Sequence, residues 1–252
     1  RTIVGALSVQ LSDDEHTAIS ETPSASADAY DLLLQGNEFL SQFSREGFEQ
    51  ARALYQKALA ASPGYARAHA NIAFTYAQEA QYGLTNNLDE TIKLGLAAVA
   101  RARQLDERLP QLHLALGSLR GAELRWQAAA EAARRSLELE PSYADGYALL
   151  SFSLTFVGDL DGARAAIERA KRLNPHYSFA YLWVEGRIHF LSQRYEQAAT
   201  LLKAALERNP DFEQPRVELA AAYARLGRND DASWEVEHVL FNNPDFSISK
   251  SV

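Results

Sequence analysis

The chain of 252 residues contains no cysteine. Disulfides, thiolate nucleophiles and zinc sites with cysteine ligands are therefore excluded, and a reducing cytoplasm is the compartment that we expect. Methionine is absent as well, even at position 1. We therefore expect the sequence to be a piece of a longer protein.

Long apolar runs are also missing from the chain. One of the longest, LGLAAVA at residues 94–100, is far shorter than the roughly 18 residues that a membrane span needs. The first residues, RTIVGALSVQL, resemble a short signal peptide, but they lack a small-residue cleavage site and run straight into SDDEH. We predict a helix over residues 1–21 and no contact with a membrane.

Positive charge is in deficit. The 25 Lys and Arg residues face 33 Asp and Glu residues, which gives a formal net charge of −8 and a pI of about 5.3. Proteins that bind nucleic acids rely on basic surfaces to contact the phosphates. We therefore expect no nucleic-acid partner.

Catalytic signatures are absent too. The sequence contains no Walker A loop, dinucleotide-binding glycine motif, nucleophile elbow or HExxH zinc motif. The six histidines are scattered with no pair four residues apart, and we interpret them as packing or solvent-facing residues rather than metal ligands. We expect no catalytic residue, no cofactor and no metal site.

The chain does contain a repeat. RSLELEPSYADGYALL at residues 135–150 is followed 34 residues later by RAKRLNPHYSFAYLW at residues 169–183. Pro141, Pro175, Pro210 and Pro244 continue the same spacing, and Pro63 precedes them by two periods and a ten-residue insertion. A period of 34 residues is typical of the tetratricopeptide repeat, a helix–turn–helix unit.

Small residues recur at fixed positions within this period. We expect them where the backbones of paired helices approach most closely. One such set lies in the middle of the first helix of each unit and comprises Gly36, Ala73, Gly117, Ser151, Gly186 and Ala220. The registered sets predict an all-α fold, an α–α superhelix of about six helix–turn–helix units.

We divide the chain accordingly. Residues 1–21 form the N-terminal helix, which either caps the first unit or belongs to a missing upstream domain. Residues 22–28 are a linker, and residues 245–252 are a C-terminal tail. The six units between them span 29–63, 66–107, 110–141, 144–175, 178–210 and 213–244.

Two units depart from the period. The first has a three-residue insertion around QFSREGFEQ, and the second carries AQYGLTNNLDE. Glycine and the paired asparagines indicate a surface loop in the second unit. This loop is either a neutral insertion or a binding loop.

The first helices of such an array line a concave surface. Aromatic and arginine side chains dominate interface hot spots. Such side chains at inward positions therefore form our candidate partner groove, although each ring could instead pack between neighbouring units. The set is Phe74, Phe152, Phe156, Trp183, Arg187, Phe190 and Arg225.

Several stretches resemble one bacterial family. Residues 27–76 (ADAYDLLLQGNEFLSQF through NIAFTY) and 167–210 (IERAKRLNPHYSFAYLW through ERNP) resemble the repeats that follow the TolB-like domain in class III adenylate/guanylate cyclase-like signalling proteins. TIVGALSVQL resembles the last helix of that preceding domain. The resemblance implies a multidomain cytoplasmic parent with an N-terminal cyclase homology domain. No residue of this chain matches the catalytic residues of such a domain.

Three functions follow as expectations. The first is a non-enzymatic protein–protein interaction or regulatory module of a larger adenylate cyclase-like signalling protein, with a protein or peptide as partner. The second is a homodimerisation scaffold for upstream domains. The third is a sensor that binds a peptide or small molecule in the aromatic groove.

Overall fold

The computed structural model describes residues 25–244 and residue 246. The predicted helix over residues 1–21 lies outside this range, as do residues 22–24 of the linker and most of the tail. Residues 25–244 form twelve α-helices and no strand. They are α1 (Ala27–Leu40), α2 (Arg45–Ala61), α3 (Ala66–Gln81), α4 (Leu88–Leu105), α5 (Pro110–Ala122), α6 (Trp126–Leu139), α7 (Ala144–Val157), α8 (Leu160–Leu173), α9 (Phe179–Leu191), α10 (Tyr195–Arg208), α11 (Gln214–Arg225) and α12 (Asn229–Asn242).

The helices follow the repeat. Each odd-numbered helix packs against the even-numbered helix that follows it, and the even-numbered helices from α2 to α10 each pack against the first helix of the next unit. A helix whose apolar face is covered on both sides by sequence neighbours generates a stacked superhelix. The predicted all-α superhelix is confirmed for residues 25–244. None of the helices in this range is long and apolar enough to cross a membrane.

Proline ends the second helix of most units. α2, α6, α8, α10 and α12 each end two residues before a proline. The residue between, such as Glu140 (φ −138°, ψ 90°) before Pro141, adopts extended backbone. Steric conflict with the proline ring disfavours helical backbone at that position, so the helix stops there.

Side-chain caps define several helix starts. Ser26 accepts a hydrogen bond from the backbone N–H of Ala29 and begins α1, so Ala27 and Asp28 of the predicted linker are helical. Ser44 caps α2, Asn87 caps α4 and Asp159 caps α8 in the same way. Each cap satisfies a backbone donor that the helix itself leaves unpaired.

The small residues lie where the helices approach closely. A Cβ atom added to Gly36 in α1 would lie 2.4 Å from the ring of Tyr55 in α2, and Tyr55 is fully buried. A Cβ atom at Gly117 in α5 would lie 3.1 Å from the backbone oxygen of Ala129 in α6. Close helix packing is thus the reason for glycine at both positions.

The turns inside the units share one backbone feature. The residue immediately before the N-cap of the second helix has left-handed backbone in five of the units formed by residues 25–244. Glycine, which tolerates this conformation, occupies it at Gly158 (φ 88°) and Gly227 (φ 75°). The other three units place a side chain there, and these are Phe43 (φ 53°), Leu124 (φ 60°) and Gln193 (φ 59°).

We expect Gly36→Ala to lower the free energy of unfolding by about 1–2 kcal/mol. Overpacking against the buried Tyr55 ring costs about 1–3 kcal/mol, which exceeds the gain of about 0.5–1 kcal/mol from replacing glycine within a helix. Urea denaturation followed by circular dichroism measures the change. Gly64→Ala is the matched control because a Cβ atom there would meet nothing within 4 Å; equal losses in both variants would contradict the packing argument.

Leu124→Gly and Gln193→Gly should both raise the free energy of unfolding by about 0.5–1 kcal/mol. The left-handed conformation costs a non-glycine residue about 1–2 kcal/mol, more than the extra chain entropy of about 0.5–1 kcal/mol that glycine loses on folding. Leu124 is 64% exposed, so its removal sacrifices little apolar burial. The same denaturation experiment applies, and a loss of stability in both variants would refute the presence of strain.

Candidate interaction surface

Four of the predicted groove residues come together. Phe152 and Phe156 lie on α7, and Trp183 and Arg187 lie on α9, the first helices of adjacent units. The Phe152 ring centroid lies 5.2 Å from that of Phe156 and 5.0 Å from that of Trp183. Arg187 lies over the ring of Phe156, with its guanidinium 4.3 Å from the ring centroid.

The other three predicted residues lie elsewhere. Phe74 is half-buried on α3 and packs with the core of the first units. Phe190 is half-buried at the end of α9, with its ring centroid 5.7 Å from that of Tyr195. Arg225 is exposed at the end of α11. Phe74 and Arg225 thus lie apart from the α7–α9 group, whereas Phe190 packs against the core cluster that contains Phe152 and Trp183.

Phe152 and Trp183 are buried rather than open to a partner. Only 6% of Phe152 and 4% of Trp183 is exposed. Packing between neighbouring units, the alternative for single rings, describes these two residues. Phe156, which is 40% exposed, remains at the surface.

Phe156 is held between two flat groups. On one face its ring stacks on Trp126, with centroids 3.8 Å apart and planes 6° apart. On the other face lies the Arg187 guanidinium. Arg187 is fixed in turn, because its Nε donates to Thr155 Oγ1 at 3.2 Å and it forms an ion pair with Glu218 of α11. The orientation of an exposed ring is thus set by buried polar contacts.

Glu218, the ion-pair partner of Arg187, is itself shielded from water. The pKa of Glu218 is raised because the carboxylate is removed from water, although Arg187 acts in the opposite direction by charge and hydrogen bonding. A guanidinium beside a desolvated carboxylate must stay paired, since an unpaired buried charge is costly. Arg187 therefore serves as a structural anchor for Phe156 and is not free for a ligand.

The open part of the surface lies beside Phe156. Leu124, Trp126, Phe156 and Val157 form what we call the Trp126 patch, and they line a shallow depression of about 580 Å³. Arg125, Gln127, Ala128 and Glu131 complete its lining. Leu124 is 64% exposed and Val157 is 43% exposed. An apolar centre with a polar rim is the usual composition of a protein interface.

A second group of aromatic residues connects the first two units with the last two. Its members are Phe43 and Tyr82, which follow α1 and α3, together with Phe179, Trp183 and Phe212 from the α9 and α11 region. We call these five residues the aromatic clasp. The Phe43 ring centroid lies 5.0 Å from that of Phe179 and 5.3 Å from that of Phe212.

Tyr82 completes the clasp. Its ring centroid lies 5.1 Å from that of Phe212, 6.0 Å from that of Trp183 and 5.0 Å from that of Phe43. Gln214 Nε2 also donates a hydrogen bond to the backbone oxygen of Tyr82 at 3.3 Å, across 132 residues of sequence. Burial raises the pKa of the Tyr82 hydroxyl. The turns of the first two units thus cover part of the face that we predicted to be an open groove.

Sequence reasoning found the loops of the clasp but not their role. Phe43 and Tyr82 lie in the two segments that depart from the repeat period. The departure itself was the available signal, since an insertion that carries an aromatic residue has a side chain to place. Trp126 had no such signal, because it stands at an ordinary helix start.

Several histidines within residues 25–244 are partly buried. Burial lowers the pKa of His69, His113 and His189. Residues 25–244 contain no group of three or more His, Asp or Glu side chains that could hold a metal ion.

The comparisons with known proteins agree with this architecture. The sequence profile of the family described as "Tetratricopeptide repeat" matches residues 189–249. A curated relative, anaphase-promoting complex subunit 3 from Schizosaccharomyces pombe, is 26% identical over 116 residues, which is 46% of this chain and 17% of that protein. The chain thus spans less than a fifth of the length of this relative.

Solved structures show the same fold at low identity. The Cut9–Hcn1 hetero-tetramer of the anaphase-promoting complex contains a chain with a TM-score of 0.69 and 16% identity, over 94% of this chain and 44% of that one. PilF from Pseudomonas aeruginosa gives a TM-score of 0.57 at 16% identity, over 87% of this chain and 93% of that one. With twelve paired helices in residues 25–244, a 34-residue period and these neighbours, the chain contains a tetratricopeptide repeat region.

Proposed function

We propose that this repeat region is a non-enzymatic protein-interaction module that binds a protein or peptide segment at the Trp126 patch. The observation that carries the proposal is the exposure of Leu124 in a strained backbone conformation beside the Trp126–Phe156 stack. A strained, exposed apolar residue is costly for folding alone and is therefore a candidate for function.

The contacts beneath the patch support the same proposal. Phe156 is fixed by Trp126 and Arg187, so the apolar surface loses little side-chain entropy when a partner binds. Preformed aromatic surfaces of this kind contribute strongly to affinity, because the ordering cost is already met in the free protein. The polar lining at Arg125 and Glu131 offers both signs of charge to the flanks of a bound segment.

The finer assignment rests on the sequence resemblance. We propose that the module belongs to a cytoplasmic adenylate cyclase-like signalling protein and regulates its upstream domain. The stretches at residues 27–76 and 167–210 are the support for this step. The relative from the anaphase-promoting complex is itself named as a subunit of an assembly, which accords with a protein partner.

Binding at the patch is testable without knowing the partner. A displayed library of random peptides would be selected on the wild-type chain, and the dissociation constants of enriched peptides would be measured by calorimetry. We expect Leu124→Gly and Trp126→Ala to weaken binding at least about tenfold, the effect of losing a hot-spot side chain. Gln193→Gly is the matched control, because it changes an equivalent turn residue outside the patch. Equal affinity in all four proteins would contradict the proposal.

Homodimerisation is a second candidate, favoured by a different observation. α12 exposes four large apolar side chains, which are Trp234 at 59%, Val236 at 46%, Leu240 at 43% and Phe241 at 85%. Exposed apolar residues concentrated on one helix of 14 residues are typical of an interface. The predicted N-terminal helix, residues 1–21, lies outside the described residues.

Light scattering across a concentration series distinguishes a monomer from a dimer. Dimerisation through α12 predicts a mass of twice 27.9 kDa for the wild-type chain. Phe241→Glu should return the mass to that of a monomer without loss of helical signal, because the Phe241 side chain is 85% exposed. A wild-type chain that stays monomeric at every concentration would eliminate this candidate.

A further inference from the structure

We infer that Phe43 and Tyr82 act as internal ligands, and that the site they fill, formed by Phe179, Trp183 and Phe212, accepts aromatic side chains of a partner peptide. The inference rests on the proposed function, since it specifies what kind of segment the repeat region binds. It adds a second place of contact, separate from the Trp126 patch, that is occupied within the chain itself.

The receiving site is a built aromatic surface. Phe179, Trp183 and Phe212 are between 4% and 7% exposed. The Phe212 ring centroid lies 5.0 Å from that of Phe179 and 5.2 Å from that of Trp183. Edge-to-face arrangements dominate, as the electrostatics of aromatic rings prefer. Such a surface selects another aromatic ring over an aliphatic chain.

The inserted rings are more exposed than the three rings that receive them. Phe43 and Tyr82 are both half-buried and both lie in turns between helices. Phe43 is held in left-handed backbone at φ 53°, and this strain is released when the turn moves. The hydrogen bond from Gln214 is the polar contact that ties Tyr82 to the α11 region. Both occupants thus lie on turns, which open at a lower cost in free energy than the helix that carries Phe179 and Trp183.

The sequences around Phe43 and Tyr82 indicate the chemistry of the partner peptide. Phe43 is presented within SQFSR and Tyr82 within AQYGL, so each ring follows a glutamine and precedes a small residue. A partner of the same chemistry is an extended or turn-forming peptide with one or two aromatic rings among small and polar residues. Tethering gives the internal rings an effective concentration of about millimolar, so a free peptide must exceed that competition.

The test removes one of the two inserted rings by substitution with alanine and supplies the same ring in a free peptide. The probes are two synthetic peptides, LSQFSREG (residues 40–47) for the Phe43→Ala variant and AQYGLTN (residues 80–86) for the Tyr82→Ala variant. We expect each variant to bind its peptide at least about tenfold more tightly than the wild-type chain does, because the tethered competitor is gone. Calorimetry measures the affinities, and each peptide with alanine in place of its ring should not bind.

Two controls distinguish the effect of emptying the aromatic site from a general loss of stability. Tyr195→Ala removes a half-buried ring outside the clasp and should leave the peptide affinity at the wild-type value. Circular dichroism checks that each variant keeps its helical signal. Each single variant is decisive alone, so loss of folding in one leaves the other as the test.

The wild-type chain supplies a further measurement that needs no substitution. Displacement of Phe43 and Tyr82 by a saturating excess of both peptides should raise the radius of gyration measured by X-ray scattering, because the ring contacts of the first two units with Phe179, Trp183 and Phe212 are lost. An unchanged radius, or variants that bind the peptides no better than the wild type, would overturn the inference. Library peptides whose binding depends on Leu124 and Trp126 would still be found in that case, so failure of the inference is distinct from failure of the proposed function.

Discussion

Close approach of paired helices is the constraint on which the rest of the structure depends. At Gly36 the ring of Tyr55 occupies the space that a Cβ atom would need, and at Gly117 the side chain of Leu149 does so, with the backbone oxygen of Ala129 close by. Each helix can then bury its apolar face only against its sequence neighbours. The 34-residue period is the record of this requirement, and it orients the first helix of every unit, including α7 and α9, towards the same face.

The aromatic clasp is a different kind of contact, because it joins units that are distant in sequence. Stacking energies in a repeat array are local, so its ends would otherwise open independently. Phe43 and Tyr82 connect the first two units with the turn at Phe212 and the start of α9. Opening of the array therefore costs these ring contacts in addition to one interface between neighbours. The clasp makes the shape of the superhelix depend on two turn residues.

The period was sufficient to predict the helices, because each helix boundary depends on local chemistry. Residues 25–244 contain two helices for each of the six predicted units. The same reasoning located Phe156 and Arg187 on adjacent first helices. It could not reveal that Trp183 is covered, since its partner Tyr82 lies about a hundred residues earlier in a segment outside the period. Leu124 was equally invisible, because glycine is the residue that usually signals a left-handed turn.

The two aromatic surfaces make opposite use of the same kind of turn. Phe43 and Leu124 occupy equivalent left-handed positions, before α2 and before α6. The ring contacts of Phe43 inside the chain offset the energetic cost of its left-handed backbone. Leu124 remains 64% exposed, so its side chain provides no comparable compensation. The strain itself is a feature of the repeat turn, since the exposed Gln193 has the same left-handed backbone. What distinguishes Leu124 is that its exposed side chain is large and apolar. Its exposure beside a preformed stack is therefore better explained by a contact that a partner completes.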